Sequence, residues 1–561
     1  MKTRKEQLGL FSIIWIGFTF IAGITFTASF SQIVLGGNGT NPKDGIGLHI
    51  IWLFLIEGLI AFMCAWAFAK LVKYHPQANG GGSQYVRTAF GKFWGLLIGF
   101  INYSVIPVIG MALIVTMVRA NFGPLEQGQT GGLWLVGQDK NGEYGKFGEW
   151  GNLYLDLIAF ALYIFAATII FFGIKKYKYV GLIIGYMTWG ITLLLMIFGL
   201  AAGFMNLSLG NNPFDAYKDQ KLTMNGFTKA FTTCFFAFGG IETFISTGKN
   251  IKNRARNMPI AIIVIMIATT LFYIVFSVIT MFAIGGTFTG NPNTQLFPDN
   301  NFLRNFGPIL IIICTILMRF NSSLQITLFG GSTLEPLSSQ GYISPIFRKE
   351  NKENVPVAGV LATMGLFVIC AIMFLFIPDI IEGATKSPSP LNYGTIASCA
   401  SILLIAIYGM IIPVVLVQGF KKKIKVEIWE YIAWFITLLF LVFILGSYFF
   451  ELAKIFANPK DENGKILIQG LVSSIFQLVY FVGIVIWAIL QYFLYYKNKM
   501  KKMDPNSEMG KVISEYENFF RLLSDKEMAD IRAEEIKNDQ EYLEYKLNLK
   551  EEKLKNKTVS K

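Results

Sequence analysis

Ionisable side chains are scarce in this chain of 561 residues. Asp, Glu, Lys and Arg together make up 15% of the sequence, and the chain has only two histidines. Hydrophobic residues make up 53%, and the mean hydropathy is +0.50. The five cysteines lie inside apolar runs without any CxxC spacing, so neither a disulfide scaffold nor a metal site is indicated. The sequence also lacks a Walker loop. This composition excludes a soluble enzyme, a secreted disulfide-rich domain and a disordered chain, and it predicts no cofactor.

Long apolar runs are abundant, and a transmembrane helix needs roughly 20 such residues. Twelve runs meet that length: residues 10–33, 49–72, 94–118, 152–174, 179–205, 228–248, 259–285, 306–332, 356–378, 393–419, 427–452 and 468–496. The predicted fold class is therefore all-α integral membrane, with about twelve transmembrane helices in a lipid bilayer.

The lysines and arginines collect in alternate loops. The basic loops include residues 70–92, 175–178, 249–256, 348–352 and 421–425, whereas the opposite loops are poorer in Lys and Arg. By the positive-inside rule the basic loops are cytoplasmic, and both termini are too, since the number of spans is even. This pattern also accounts for the net charge of +13 without a nucleic-acid partner. We expect a multi-pass protein of the plasma membrane.

Two predicted spans carry glycine beside hydrogen-bonding residues. The first reads TFIAGITFT over residues 19–27, and the sixth reads FFAFGGIETF over residues 235–244. The sixth span comes five spans after the first, and this odd offset inverts the second segment relative to the first. Paired glycine-interrupted helices in inverted halves indicate a transporter site at the bilayer midplane, because an unwound turn frees backbone N–H and C=O groups for a ligand. The alternative is that these glycines only permit close helix packing.

Three motifs resemble the amino acid–polyamine–organocation permease superfamily. The first is FFAFGGIETFISTGKNIKNRARNMPIAI from Phe235, which is similar to the sixth-helix signature and the loop after it. The second, HPQANGGGSQYVRTAFGKFWG, is similar to the loop between the second and third helices, and QGYISPIFRKENKENVPVAG from Gln340 resembles the loop after the eighth. The first helix departs from the usual Gly-Ser-Gly-Ile, since it has Ile21-Ala22-Gly23-Ile24 instead. Thr25 or bare backbone amides would then hold a substrate carboxylate.

The resemblance implies a core of two inverted five-helix repeats with discontinuous first and sixth helices. The expected organisation is a cytoplasmic N-terminus (1–9), a transport core of ten helices (10–419), helices 11 and 12 (420–496) and a charged cytoplasmic tail (497–561). In the tail, Ser524 and Glu527 form a capping-box pattern that predicts a helix start. A regulatory or dimerising tail and a simple solvated tail are both open, as is a homodimer.

The candidate substrate-binding residues come from the interrupted segments and from polar and aromatic positions nearby. They are Thr19, Ala22, Gly23, Ile24, Thr25, Asn102, Phe236, Phe238, Gly239 and Gly240.

Two carboxylates, Glu57 and Glu242, lie well inside apolar runs, away from the run ends, where a charge is costly and marks a functional candidate. Glu242 is the proton-coupling candidate, because an acid at the matching place in arginine/agmatine-type antiporters is implicated in the proton response; the alternative is a hydrogen-bonding brace. For Glu57 the resemblance assigns no role. Ser322 and Ser323 are candidate ligands for Na⁺, although such hydroxyls also join membrane helices. Proton coupling or exchange of a counter-substrate is thus preferred to Na⁺.

The function implied is a secondary active transporter, permease or antiporter, that moves amino acids by alternating access, and not an enzyme. One alternative is a polyamine or organic-cation carrier of the same superfamily, with an amine substrate. The other is an amino acid sensor that has lost transport.

Overall fold

A computed structural model describes most of the chain. The described residues are 9–23, 30–35, 45–75, 81–119, 147–218, 220–242, 254–285, 296, 301–351, 355–386, 389, 391, 393–458 and 468–518, with 526, 527, 529, 530, 533, 537 and 540 in the tail.

Every regular element in these ranges is helical. The helices are α1 (Leu10–Ile21), α2 (Phe30–Leu35), α3 (Ile50–Tyr74), α4 (Gly82–Phe90), α5 (Lys92–Met117), α6 (Gly151–Ile170), α7 (Ile174–Ser208), α8 (Met224–Cys234), α9 (Arg254–Ile284), α10 (Asn301–Ser339), α11 (Val357–Ala371), α12 (Ile377–Thr385), α13 (Tyr393–Phe420), α14 (Ile428–Ala457), α15 (Ile468–Leu490), α16 (Lys497–Lys502) and α17 (Glu508–Asn518). A π-helical turn, Ile372–Phe376, joins α11 to α12, and another, Gln491–Tyr496, joins α15 to α16.

Ten stretches in the described part are long and apolar enough to cross a membrane. Each corresponds to one of the predicted runs, because a chain in lipid must satisfy its backbone groups within its own helices. The chain is therefore a multi-pass membrane protein. The other two predicted runs, 10–33 and 228–248, contain the shorter helices α1 and α8, which end part-way along.

Burial separates central helices from peripheral ones. In the apolar stretch of α5, 89% of the residues are buried inside the protein, whereas the stretches in α14 and α15 are only 28% and 22% buried. All five cysteines are buried, as expected of small core residues. The outer helix α14 is tied to α3 by Lys70, whose ammonium lies 2.5 Å from the Glu430 carboxylate.

Opposite ends of α5 carry different ionic contacts. Just beyond its C-terminal end, Arg119 lies 3.4 Å from Asp156 of α6 and 3.1 Å from Asp379 of α12. Near its N-terminal end, Lys92 lies 3.1 Å from Glu517 of the tail helix α17, which also pairs with Arg87. The 26 residues of α5 span about 40 Å at 1.5 Å per residue, so these contacts belong to opposite faces of the bundle.

The tail helix α17 packs against this second face. Ile513 is buried and lies over Gly341, in the turn that follows α10. Arg348, after the same turn, lies 3.4 Å from Glu508. The helix start predicted at Ser524 lies outside the described residues, and α17 was not predicted from the sequence.

Candidate substrate site

The first helix stops inside its apolar run. α1 ends at Ile21, and Ala22 is already extended, with φ −72° and ψ 130°. The Ala22 N–H still donates to the Phe18 carbonyl at 2.8 Å, so the helix closes its last turn and then opens at Gly23. The carbonyl of Ile21 is left available for a partner from another helix. Ile24 and Thr25 lie outside the described residues.

The sixth run is interrupted in the same way. α8 ends at Cys234, a 3₁₀ turn follows over Phe235–Phe238, and Gly239 is extended. Gly240 has φ +120°, a conformation that side-chain-bearing residues rarely adopt. A Cβ there would lie 2.5 Å from the Phe20 ring of α1, and a Cβ on Gly239 would lie 2.4 Å from Leu404 of α13. Glycine at position 240 thus lets the two interrupted segments approach closely, and glycine at position 239 lets the second segment approach α13.

Tyr273 of α9 connects the two breaks. Its hydroxyl lies 3.0 Å from the Ile21 carbonyl and 2.8 Å from the Ala237 carbonyl, so its single proton can be donated to either. The ring is buried and packs edge-on against Phe238 at 5.2 Å between centroids. Backbone carbonyls freed by both breaks are thus held at one point.

A cavity opens beside this connection. It has a volume of about 40 Å³ and is large enough for water molecules. Its lining includes the backbone of both breaks, three polar side chains and apolar neighbours: Phe20, Ile21, Ala22, Gly23, Ile109, Leu113, Phe236, Ala237, Gly239, Tyr273, Met318, Arg319 and Ser322. Helices α1, α5, α9 and α10 and the turn after α8 thus all contribute to one cavity.

The structure brings part of the predicted site together. Five candidates line the cavity: Ala22, Gly23, Phe236, Gly239 and Ser322. Gly240 lies next to the lining, against Phe20, and Phe238 lies behind it on Tyr273.

The other described candidates lie outside the lining. Thr19 faces Gly185 of α7, and its hydroxyl donates to the Ile16 carbonyl of its own helix at 3.2 Å. Asn102 is buried in α5 and Ser323 in α10. In the described part of the protein, the Asn102 amide and the Ser323 hydroxyl have no hydrogen-bond partner.

Glu242 contacts the broken segment itself. Its carboxylate accepts the backbone N–H of Gly240, with N–O distances of 2.9 Å and 3.2 Å, and the hydroxyl of Tyr408 on α13 at 3.0 Å. The side chain is fully buried. These bonds hold Gly240 in its unusual conformation. They also connect the Glu242 carboxylate to α13 through Tyr408.

Sequence reasoning missed two polar residues of the cavity, Tyr273 and Arg319. Arg319 stands in the middle of the apolar run 306–332, where any charged residue is a functional candidate. That signal was available, since it is the one that singled out Glu242 and Glu57. Tyr273 gave no such signal, because a tyrosine in an apolar run is ordinary.

Glu57 of α3 is the second buried carboxylate of the core. The side chain is fully buried, and among the described residues neither of its oxygens has a hydrogen-bond partner. The next residue, Gly58, allows α3 to press against Thr270 of α9, since a Cβ there would lie 2.2 Å from that side chain. Glu57 therefore lies beside the helix that carries Tyr273, outside the cavity lining.

The fold and this site define a class: a multi-pass helical membrane protein with two interrupted segments around a central cavity. Comparison with known families makes this specific, because residues 8–476 match the amino acid permease family. The chain belongs to that family. Its relatives are transporters rather than enzymes.

Curated relatives are distant. The chain is 23% identical to cationic amino acid transporter 5 of Arabidopsis thaliana over 48% of this chain and 42% of the relative. It is 23% identical to cationic amino acid transporter 4 of Mus musculus over 60% of this chain and 51% of the relative. It is also 24% identical to the methylthioribose transporter of Bacillus subtilis over 43% and 49%. The chain thus spans about half the length of the curated relatives that it matches.

Proposed function

We propose that the protein is a secondary active transporter that moves amino acids across the plasma membrane by alternating access. The observation that carries the proposal is the meeting of two interrupted segments at Tyr273, beside a cavity lined by both. Interrupted helices at the centre of a bundle expose backbone groups that bind a zwitterion and its coupling ion. A helix needed only for packing has no reason to open there.

The proposed architecture has twelve spans, with residues 10–419 as the transport core. The interrupted segments around α1 and α8 supply the two spans beyond the ten long helices. The first ten spans form two inverted repeats, which the offset of five spans between the first and the second broken span supports. Both termini and the tail 497–561 are cytoplasmic by the charge of the loops.

Transport is coupled to protons or to a counter-substrate. Glu242 is the proposed proton-coupling group, because its carboxylate bridges the break at Gly240 and Tyr408 of α13. A change in its protonation would alter both bonds, and therefore the join between the broken segment and a neighbouring helix.

Uptake by the purified chain in proteoliposomes tests the function. Radiolabelled amino acids are offered with and without a pH gradient, and substrate counterflow is measured in parallel. Accumulation driven by the gradient or by internal counter-substrate is expected. A protein that binds an amino acid but gives neither uptake nor counterflow would be a sensor, and the transport proposal would be wrong.

Tyr273→Phe tests the observation that carries the proposal. Losing the hydroxyl removes the donor shared by the Ile21 and Ala237 carbonyls, so we expect substrate affinity to fall at least about tenfold, or about 1.4 kcal/mol. The matched control is Tyr177→Phe, since the buried Tyr177 hydroxyl has no hydrogen-bond partner among the described residues. Affinities measured by equilibrium binding should differ between the two variants. If both variants bind substrate with wild-type affinity, the two interrupted segments do not take part in substrate binding through Tyr273.

A carrier of cationic amino acids or polyamines is the second candidate. The names of two of the relatives favour it, because both are cationic amino acid transporters.

A further inference from the structure

The cavity wall contains a buried arginine, Arg319. It lies in the middle of α10 with 3% of its surface exposed, and it lines the cavity together with Met318 and Ser322. An arginine in the apolar interior of a membrane protein costs several kcal/mol unless its charge is compensated. A positive charge buried at this cost in free energy needs a negatively charged or hydrogen-bonding partner.

Among the described residues, the Arg319 guanidinium forms one hydrogen bond. Nε donates to the Thr116 hydroxyl of α5 at 2.9 Å. That hydroxyl in turn donates to the Ala112 carbonyl at 2.7 Å, so its lone pairs face Arg319. A guanidinium has five N–H groups, and this contact uses one of them. The contact fixes the orientation of the side chain and leaves the other donors for a ligand.

Arg319 differs from the partly buried Arg119 and the buried Arg87 because it has no acidic partner among the described residues. Arg119 lies within 3.4 Å of Asp156 and within 3.1 Å of Asp379, and Arg87 pairs with Glu517. No described carboxylate forms an ion pair with Arg319, and Glu242 of the core is instead bonded to Gly240 and Tyr408. The charge of Arg319 is therefore uncompensated by the described part of the protein and adjoins the cavity.

We propose that Arg319 binds a carboxylate of the substrate and makes the cavity selective for neutral and acidic amino acids over cationic ones. This inference rests on the proposed transport function and names its substrate class. The planar fork of a guanidinium matches a carboxylate in two parallel hydrogen bonds. The same charge repels a lysine, arginine or polyamine ammonium in a site of low dielectric constant, which excludes those substrates.

The carboxylate has two possible sources, the α-carboxylate common to all amino acids and the side chain of an acidic one. Binding to the purified full-length protein distinguishes them by paired ligands. Glutamate and glutamine differ in the side-chain carboxylate, whereas leucine and 3-methylbutylamine differ in the α-carboxylate. The affinities for lysine and putrescine show whether the site excludes cationic ligands.

On the wild-type protein we expect lysine and putrescine to bind at least about tenfold more weakly than the best neutral or acidic amino acid. Lysine or putrescine binding as tightly as that ligand would overturn the inference while leaving the transporter intact. Failure to bind any amino acid would overturn the proposed function and this inference with it. These measurements need no variant.

Arg319→Gln should abolish the preference that depends on the guanidinium. Loss of the glutamate preference over glutamine assigns Arg319 to the side-chain carboxylate, and loss of the leucine preference over its amine assigns it to the α-carboxylate. Both preferences kept at wild-type ratios would overturn the inference. The control is Thr315→Val, on the same helix but outside the cavity lining, which should leave both ratios unchanged.

Arg319→Lys covers the case in which the glutamine variant does not fold. It keeps the positive charge but loses the fork, so we expect cations to stay excluded while affinity for the carboxylate ligand falls several-fold. Wild-type affinity in the lysine variant for every carboxylate ligand, together with equal binding of lysine and leucine, would contradict the role of Arg319.

Discussion

At the residue scale, two buried carboxylates that look alike in the sequence differ in the structure. Both Glu57 and Glu242 stand in apolar runs and are fully buried. Glu242 accepts hydrogen bonds from Gly240 and Tyr408, whereas Glu57 accepts none from the described residues. The sequence alone could not show this difference in bonding, because Tyr408, which donates to Glu242, lies 166 residues away along the chain.

Glu242→Gln tests whether this carboxyl group takes part in coupling. Glutamine has almost the same shape but cannot ionise, so a proton-coupled cycle should lose its pH dependence while substrate affinity stays within about tenfold. Transport rates measured across a pH series, together with equilibrium binding, check this expectation.

Tyr408→Phe is the matched control for that variant. It removes one hydrogen bond to Glu242 but leaves an ionisable carboxyl group, so pH dependence should persist. An unchanged pH profile in Glu242→Gln, with only a lower melting temperature, would make Glu242 a brace of the broken segment. A loss of binding far beyond tenfold would indicate direct contact with the substrate amine, since breaking a desolvated charge pair costs roughly 2–5 kcal/mol.

At the scale of elements, the helix breaks were predictable and their surroundings were not. Ala22-Gly23 and Gly239-Gly240 indicate the interruptions, because each pair stands beside hydrogen-bonding residues in an apolar run and the two runs are in inverted halves of the chain. The predicted runs likewise match the ten long apolar stretches of the described residues to within seven residues at either end. Tyr273, which joins the breaks, escaped notice because its hydroxyl reaches two carbonyls far away in sequence. Arg319 could have been found, since its charge in an apolar run was visible.

Gly240→Ala tests the need for glycine at the second break. Alanine must adopt φ +120° at a cost of roughly 1–3 kcal/mol, and its Cβ would meet Phe20 at 2.5 Å. We expect substrate affinity to fall at least about tenfold and the melting temperature to drop, as measured by binding and by thermal unfolding in detergent.

Gly409→Ala is the control for this substitution. Gly409 lies within α13, and no atom stands within 4 Å of an added Cβ, so alanine should be neutral or stabilise the helix by up to about 1 kcal/mol. If Gly240→Ala binds substrate with wild-type affinity, Gly239 and Gly240 serve only close helix packing.

At the scale of the whole molecule, charge organises the two faces of the bundle. Arg119, Asp156 and Asp379 gather at one end of α5, and Arg87, Lys92 and Glu517 at the other. The end with the tail helix also adjoins Arg348 and the turn near Gly341. The bilayer should therefore lie between these clusters, with the tail on the basic, cytoplasmic side.

Labelling of single cysteines in intact cells tests this orientation. The five native cysteines are all buried, so they give little background with a membrane-impermeant maleimide. Asn211, between α7 and α8, and Lys422, between α13 and α14, are both exposed. Five predicted spans lie between them, so we expect the two loops on opposite faces. Asn211→Cys should be labelled from outside, and Lys422→Cys only after the membrane is permeabilised, because the positive-inside rule predicts that the lysine-rich loop is cytoplasmic. The reverse pattern would invert the protein in the membrane, and equal labelling before permeabilisation would contradict the placing of these two loops on opposite sides.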